Sequence, residues 1–142
     1  MQNKLLAPSL LLALALVGVG TTLYLSYSVY TGNAPSCLLV GCEKVLASEY
    51  SKMFGVPLSY LGLVYFIYLL GLAVLLLADP RSHGLRLGAT LYTGLGVLYF
   101  AHAIFYVQAV LIGAFCQYCI ISALTTLLAF GVSVWDFQKS PK

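Results

Sequence analysis

The sequence predicts an all-α integral membrane protein: a four-transmembrane-helix bundle whose outer end is covered by an extracytoplasmic loop or short amphipathic helix. Three observations predict it. Hydrophobic residues make up 61% of the chain and charged residues only 8%, with a mean hydropathy of +0.97, a surface that no water-soluble domain of this length presents. Uncharged stretches recur at the length of a bilayer crossing, and five of the seven basic residues fall at the chain ends or in one short connection. A net charge of +3, spread thinly, argues against a nucleic-acid partner. Without linkers, repeats or low-complexity tracts, residues 1–142 read as a single membrane domain.

The first span covers about 5–30 and contains no charged side chain. Crossing roughly 30 Å of hydrocarbon at about 1.5 Å per residue takes about 20 residues, so this run suffices. Lys4 before it suggests a secretory signal, but the run ends in "TTLYLSYSVYTG", with Tyr24, Tyr27 and Tyr30 spaced as interfacial anchors rather than as a small-residue cleavage site. The second span covers about 56–78 on the same reasoning.

Residues 87–135 form one stretch without Asp, Glu, Lys or Arg. As a single helix it would be roughly 74 Å long, more than twice the hydrocarbon core. It must double back, and the nearest breaker to its midpoint is Gly113. That predicts spans of about 87–112 and 116–135, with Cys116 and Cys119 in the first turn of the fourth helix.

Four spans place the N-terminus, the 79–86 connection and the C-terminus on one side, with Lys4, Arg81, Arg86, Lys139 and Lys142. The positive-inside rule makes that side cytoplasmic, in an inner or plasma membrane. The outer loop, 31–55, and the Gly113 turn then face the extracytoplasmic compartment, and all four cysteines lie there: Cys37 and Cys42 in the loop, Cys116 and Cys119 at the turn.

Such cysteines admit three readings. Two structural disulfides suit the oxidising side, and would make the protein a non-enzymatic tetraspan stapled twice. A C-x-x-C staple closes so short a loop that it removes little chain entropy. Four thiolates could instead hold a tetrahedral metal, although C-x4-C is a weak partner for that geometry. The third reading is two dithiols exchanging electrons in series, since a C-x-x-C at a helix N-terminus lies near unpaired N–H groups and the positive end of the helix dipole, which favour thiolate. By that argument Cys119, inside the first turn, is expected to be the better anion of its pair.

Other residues carry narrower expectations. Val45, Leu46, Tyr50 and Met53 recur at helical spacing and predict a short amphipathic helix over 43–53. His102, within the third span, is expected to be a neutral imidazole hydrogen-bonded to a neighbouring helix. Gln108 can reach either a lipid-soluble electron acceptor or a backbone group. Gly62, Gly71, Gly88, Gly94 and Gly96 are expected to let helices approach closely; Trp135 and Phe137 read as an inner aromatic belt. Tyr60, Phe66, Phe105, Phe115 and Tyr118 are candidate pocket walls.

The loop pair "CLLVGCEKVLAS", then "FGVPLSYLG" leading into the second helix, then "FCQYC" opening the fourth, together resemble the bacterial homologues of vitamin K epoxide reductase along essentially the whole chain. The resemblance implies that Cys116 and Cys119 are the active-site pair, with Cys119 facing a quinone. It implies that Cys37 and Cys42 are a shuttle pair and that Ser48 is the loop serine near the quinone. It also implies a membrane thiol–disulfide oxidoreductase that generates disulfides: it oxidises an extracytoplasmic thioredoxin-like partner and passes two electrons through both pairs to a membrane quinone of the ubiquinone, menaquinone or vitamin K type, with no metal. Many such proteins carry the thioredoxin-like domain fused; ending at Lys142, this chain is expected to use it in trans. Where the vertebrate enzymes have an asparagine and a tyrosine at the quinone head, this chain has Leu58 and Ala123, which favours plain quinone reduction over epoxide reduction, a reaction needing proton donors. Phe115 and Tyr118 complete the expected quinone site.

Overall fold

The computed structural model describes residues 2–32, 44, 49 and 52–139. Four helices in it are long and apolar enough to cross a membrane. Helix α1 runs Gln2–Thr31. A two-stranded antiparallel ribbon follows, β1 (Lys52–Met53) paired with β2 (Val56–Pro57), turning through Phe54 and Gly55, both at positive φ. Helix α2 is Leu58–Ala78. Helix α3, His83–Ala101, continues without a break into a wider segment of π-type geometry, His102–Ile112. Helix α4 is Gln117–Lys139.

Helices α3 and α4 extend past the bounds that charge alone suggests, as α1 does at Gln2. Ser82 caps α3 by accepting the Leu85 N–H at 3.3 Å, so α3 begins before Arg86, and α4 continues through Asp136. Charge is tolerated at these ends because Arg86 and Asp136 face each other, 3.3 Å apart and nearly buried. At the ribbon, Lys52 and Met53 are strand, not the end of an amphipathic helix; Lys44 is helical and Glu49 lies in a 3-10 turn, while the remainder of 43–51 lies outside the described residues. A Phe-Gly pair at positive φ suits a tight reversal, which ends helix there.

Helix α1 packs mainly on α2 and α4, and α4 also packs on α3; α2 and α3 touch less. The order around the bundle is therefore α2, α1, α4, α3. Its core is Leu11, Ala15, Phe66, Leu69, Ala73, Leu76, Ala89 and Ala129. The polarity is reversed relative to a soluble bundle. In α4 the buried residues are Ser122, Thr125, Thr126, Ala129, Ser133 and Asp136, whereas Leu124, Leu127 and Leu128 face outward. Lipid tails are as apolar as leucine, so helices associate through small and hydroxylated residues. Most of the hydroxyls bond to their own helix: Thr22 to the Gly18 carbonyl at 2.7 Å, Thr93 to Ala89 at 2.7 Å and Thr126 to Ser122 at 2.9 Å. Others cross between helices, such as Tyr92 to the Tyr65 carbonyl at 2.9 Å and Thr90 to the Ser133 carbonyl at 3.2 Å.

Helices α1 and α2 approach closely at Gly18, where a Cβ would fall within the Phe66 ring. Of the glycines expected at contacts, Gly62 meets Thr22, Gly94 meets Phe130, and Gly96 meets Tyr65 and Thr126, whereas Gly71 and Gly88 face open space. His102 also departs from expectation. It is exposed on the outside of the bundle and stacks on Tyr106, with centroids 5.2 Å apart, because the wide segment turns it away from neighbouring helices. Of the candidate pocket walls, Phe66 is buried in the core and Phe105 is exposed. At the other end Lys139 lies 4.2 Å over the Trp135 ring and His83 packs on Phe137.

Candidate active site

The end of the wide segment decides where the C-x-x-C pair sits. Gly113 adopts the left-handed conformation, φ 73° and ψ 21°, which a residue without a Cβ enters without strain. The backbone carbonyl of Gln108 accepts both the Gly113 N–H at 2.8 Å and the Ala114 N–H at 3.1 Å. The chain then reverses within four residues and delivers Cys116 to the N-cap of α4, where its carbonyl accepts the first intrahelical bond, from Ile120 N–H, at 3.1 Å.

Cys116 is fully buried, enclosed by Ile112, Ala114, Tyr118 and Cys119. Both thiols are free, and the two hydrogen-bond to each other. The Cys119 S–H bond, opposed by burial and aided by the N–H groups of Cys119 and Tyr118, lowers the Cys116 thiol from 9.0 to about 7. The helix N-terminus therefore acts on Cys116 and not on Cys119. This corrects the expectation from sequence: the N–H groups of the first turn point back over the cap residue, which is Cys116, while Cys119 belongs to the turn that donates them.

Gln108 is the residue whose role sequence alone left open. It is buried, and its side-chain carbonyl accepts the Cys116 N–H at 3.1 Å. Its side chain also hydrogen-bonds Cys119. Of its two sequence readings, satisfying a backbone group is the one the geometry shows. The signal for it was an amide at an otherwise apolar position within reach of a helix end. Tyr99 of α3, absent from the sequence reading, lies near enough to Cys119 to interact electrostatically with it.

The other expected site residues distribute as follows. Tyr118 packs beside Cys116 and meets Tyr24 of α1 with ring centroids 5.4 Å apart. Phe115 precedes Cys116 and is exposed. Ala123, half-buried, lies one turn beyond Cys119 on α4. Leu58 opens α2 at the same end of the bundle. Cys37, Cys42 and Ser48 lie outside the described residues. Among the described residues no three metal-ligating side chains converge; a four-cysteine metal site would need Cys37 and Cys42.

Residues 9–134 match the model of the vitamin K epoxide reductase family, a range that takes in all four cysteines. The chain is also 30% identical over 128 residues to the thiol-disulfide oxidoreductase LTO1 of Arabidopsis thaliana, an alignment covering 82% of this chain and 33% of that protein. The chain thus spans about a third of the length of that protein.

Proposed function

The chain belongs to the vitamin K epoxide reductase family, and from that premise we propose that it is a membrane thiol oxidoreductase which makes disulfides in a thioredoxin-like partner and reduces a quinone. The observation that carries this reading is a buried dithiol at a helix N-cap, at the membrane-surface end of an apolar bundle. A thiol already shifted to about 7 exchanges readily near neutral pH.

The steps balance. The Cys116–Cys119 dithiol gives two electrons and two protons to a membrane quinone of the ubiquinone, menaquinone or vitamin K type, leaving a Cys116–Cys119 disulfide. A thiolate of the Cys37–Cys42 pair attacks Cys116. The new S–S bond forms there, the old one breaks, and its electron pair stays on Cys119. The second loop thiolate displaces Cys116, leaving the dithiol reduced and the loop pair oxidised. The loop disulfide then oxidises the partner dithiol by the same exchange.

The residues present fit a quinone head as electron-accepting substrate. Ser26 of α1, Ser59 of α2 and Ser122 of α4 carry buried hydroxyls with no hydrogen-bond partner among the described residues, and buried polar atoms call for a partner. Ser48, Leu58, Phe115, Tyr118 and Ala123 complete the proposed site. The termini and the 79–82 connection are proposed to be cytoplasmic and the cysteines extracytoplasmic, because the basic residues gather on the former side. Labelling a cysteine placed at Arg81 only from outside the cell would invert this arrangement.

The deciding experiment is a thiol count on the protein in lipid, after mild dithiol and again after excess quinone. Four thiols that appear with dithiol and vanish with quinone support the relay. Thiols that stay oxidised through dithiol treatment, or stay reduced in quinone, overturn it.

A further inference from the structure

We propose that Gln108 is a positioning residue of the dithiol: its amide carbonyl fixes the Cys116 backbone while its amide NH2 supports the charge that develops on Cys119. The proposal rests on the thiol-oxidoreductase reading given above. Its geometric basis is the 3.1 Å bond from Cys116 N–H to Gln108 Oε1, which holds the buried amide at the start of α4 three residues before Cys119, where the side chain also interacts with the Cys119 thiol.

Chemistry fixes which end of the amide faces which cysteine. A backbone N–H is a donor only, so the group bonded to it must be the carbonyl. The NH2 is the end left for Cys119. The same residue closes the turn with its backbone carbonyl, accepting from Gly113 and Ala114. Gln108 is thus held at three points, and its side chain is buried where neighbours such as Phe105, Tyr106, Val110 and Leu111 face outward. The wide π-type geometry of His102–Ile112 carries it there, and helices of this kind recur at functional positions.

The need for such a residue follows from the exchange step. When a loop thiolate attacks Cys116 in the Cys116–Cys119 disulfide, the attacking sulfur bonds to Cys116 and the electron pair of the broken bond stays on Cys119. Cys116 is then an uncharged disulfide sulfur, so the N–H groups of Tyr118 and Cys119 that surround it no longer meet a charge. Cys119 carries the charge instead, and in this proposal the NH2 of Gln108, the end of the amide not taken by Cys116 N–H, supports it. Among the described residues the titratable groups around Cys119 are Cys116, beside which Tyr118 packs, Tyr99 on α3, and Tyr24 of α1 behind Tyr118.

The test uses the full chain in lipid with Cys37, Cys42 and Cys116 replaced by Ser, so that Cys119 is the single thiol. Its alkylation rate by iodoacetamide is followed against pH with Gln108, Gln108→Met and Gln108→Glu. Methionine keeps the length and loses both bonds. Glutamate, ionised at the alkaline pH where a thiol titrates, keeps the acceptor for Cys116 N–H, loses the donor and adds like charge. The expected alkylation midpoints rise in the order Gln, Met, Glu, with about a tenfold lower thiolate fraction for Met than for Gln at a pH below both midpoints. Thermal stability is expected to follow a different order, with Glu nearer to Gln than Met is. Equal midpoints across the three, with stability alone changed, would overturn the positioning role. The wild-type thiol count with quinone separates the two proposals: its failure removes the oxidoreductase reading, whereas quinone response with equal midpoints removes only the role of Gln108.

Discussion

Arg86 and Asp136 form an ion pair between the start of α3 and the end of α4, with Nε 3.3 Å from Oδ2 and both side chains more than nine-tenths buried. The Nε–H is not aligned for a hydrogen bond, so the attraction is mainly that of opposite charges, while the guanidinium also donates to the Pro80 carbonyl. Asp136→Leu should leave a buried unpaired cation and cost about 3 kcal/mol. The double variant Arg86→Met, Asp136→Leu should recover most of that loss, because removing both charges leaves nothing uncompensated. Thermal unfolding in detergent measures both; equal loss in the single and double variants would show that the pair is not the cause.

Gly113→Ala should cost about 1–2 kcal/mol, from backbone strain alone. The position sits at φ 73°, and an added Cβ would meet nothing within 4 Å, so no clash adds to it. Gly113→Asn should be milder, since asparagine tolerates this conformation better. The turn also delivers Cys116, so the alanine variant should oxidise partner thiols more slowly than its stability loss explains. Turnover at a temperature where both variants are fully folded checks this.

Alkylation of Cys116 in the reduced protein should rise with pH around a midpoint of about 7, below the 9.0 of an ordinary thiol. The sign follows from the cause. The Cys119 S–H and two backbone N–H groups favour the thiolate, so protons leave at lower pH. Cys119→Ala removes the first of these and should raise the midpoint by about one unit. Mass-resolved alkylation of Cys116 across pH 5–10, as a range of about five units around neutrality, reads both values; an unmoved midpoint in the variant would mean that the N–H groups act alone.

Cys116→Ala and Cys119→Ala should each abolish quinone reduction, because the relay has no alternative route for its electron pair. Cys37→Ala and Cys42→Ala should block turnover with a thioredoxin-like protein and spare small dithiols that can reach Cys116. Quinone-reduction assays with both kinds of donor separate the two pairs. Normal turnover in the Cys119→Ala protein would eliminate the relay.

The fold class was legible in the sequence because a bilayer crossing is a local property: about 20 contiguous apolar residues suffice, whatever their neighbours. That is why the four helices are read from hydropathy and the reversal from Gly113. The C-x-x-C pair was equally visible as a motif. Helix ends were less so, since Arg86 and Asp136 lie within helices only because each neutralises the other across the bundle.

What tertiary structure decided is which groups meet. The order α2, α1, α4, α3 is set by small-residue contacts such as Gly18 against Phe66, and such pairings between distant segments leave no local trace. Sequence placed Cys116 and Cys119 together in one helical turn, but the direction in which N–H groups point at a cap made Cys116 the favoured thiolate. Gln108, eight residues away from Cys116, reaches it only because a wide helical segment and a left-handed glycine fold the chain back on itself.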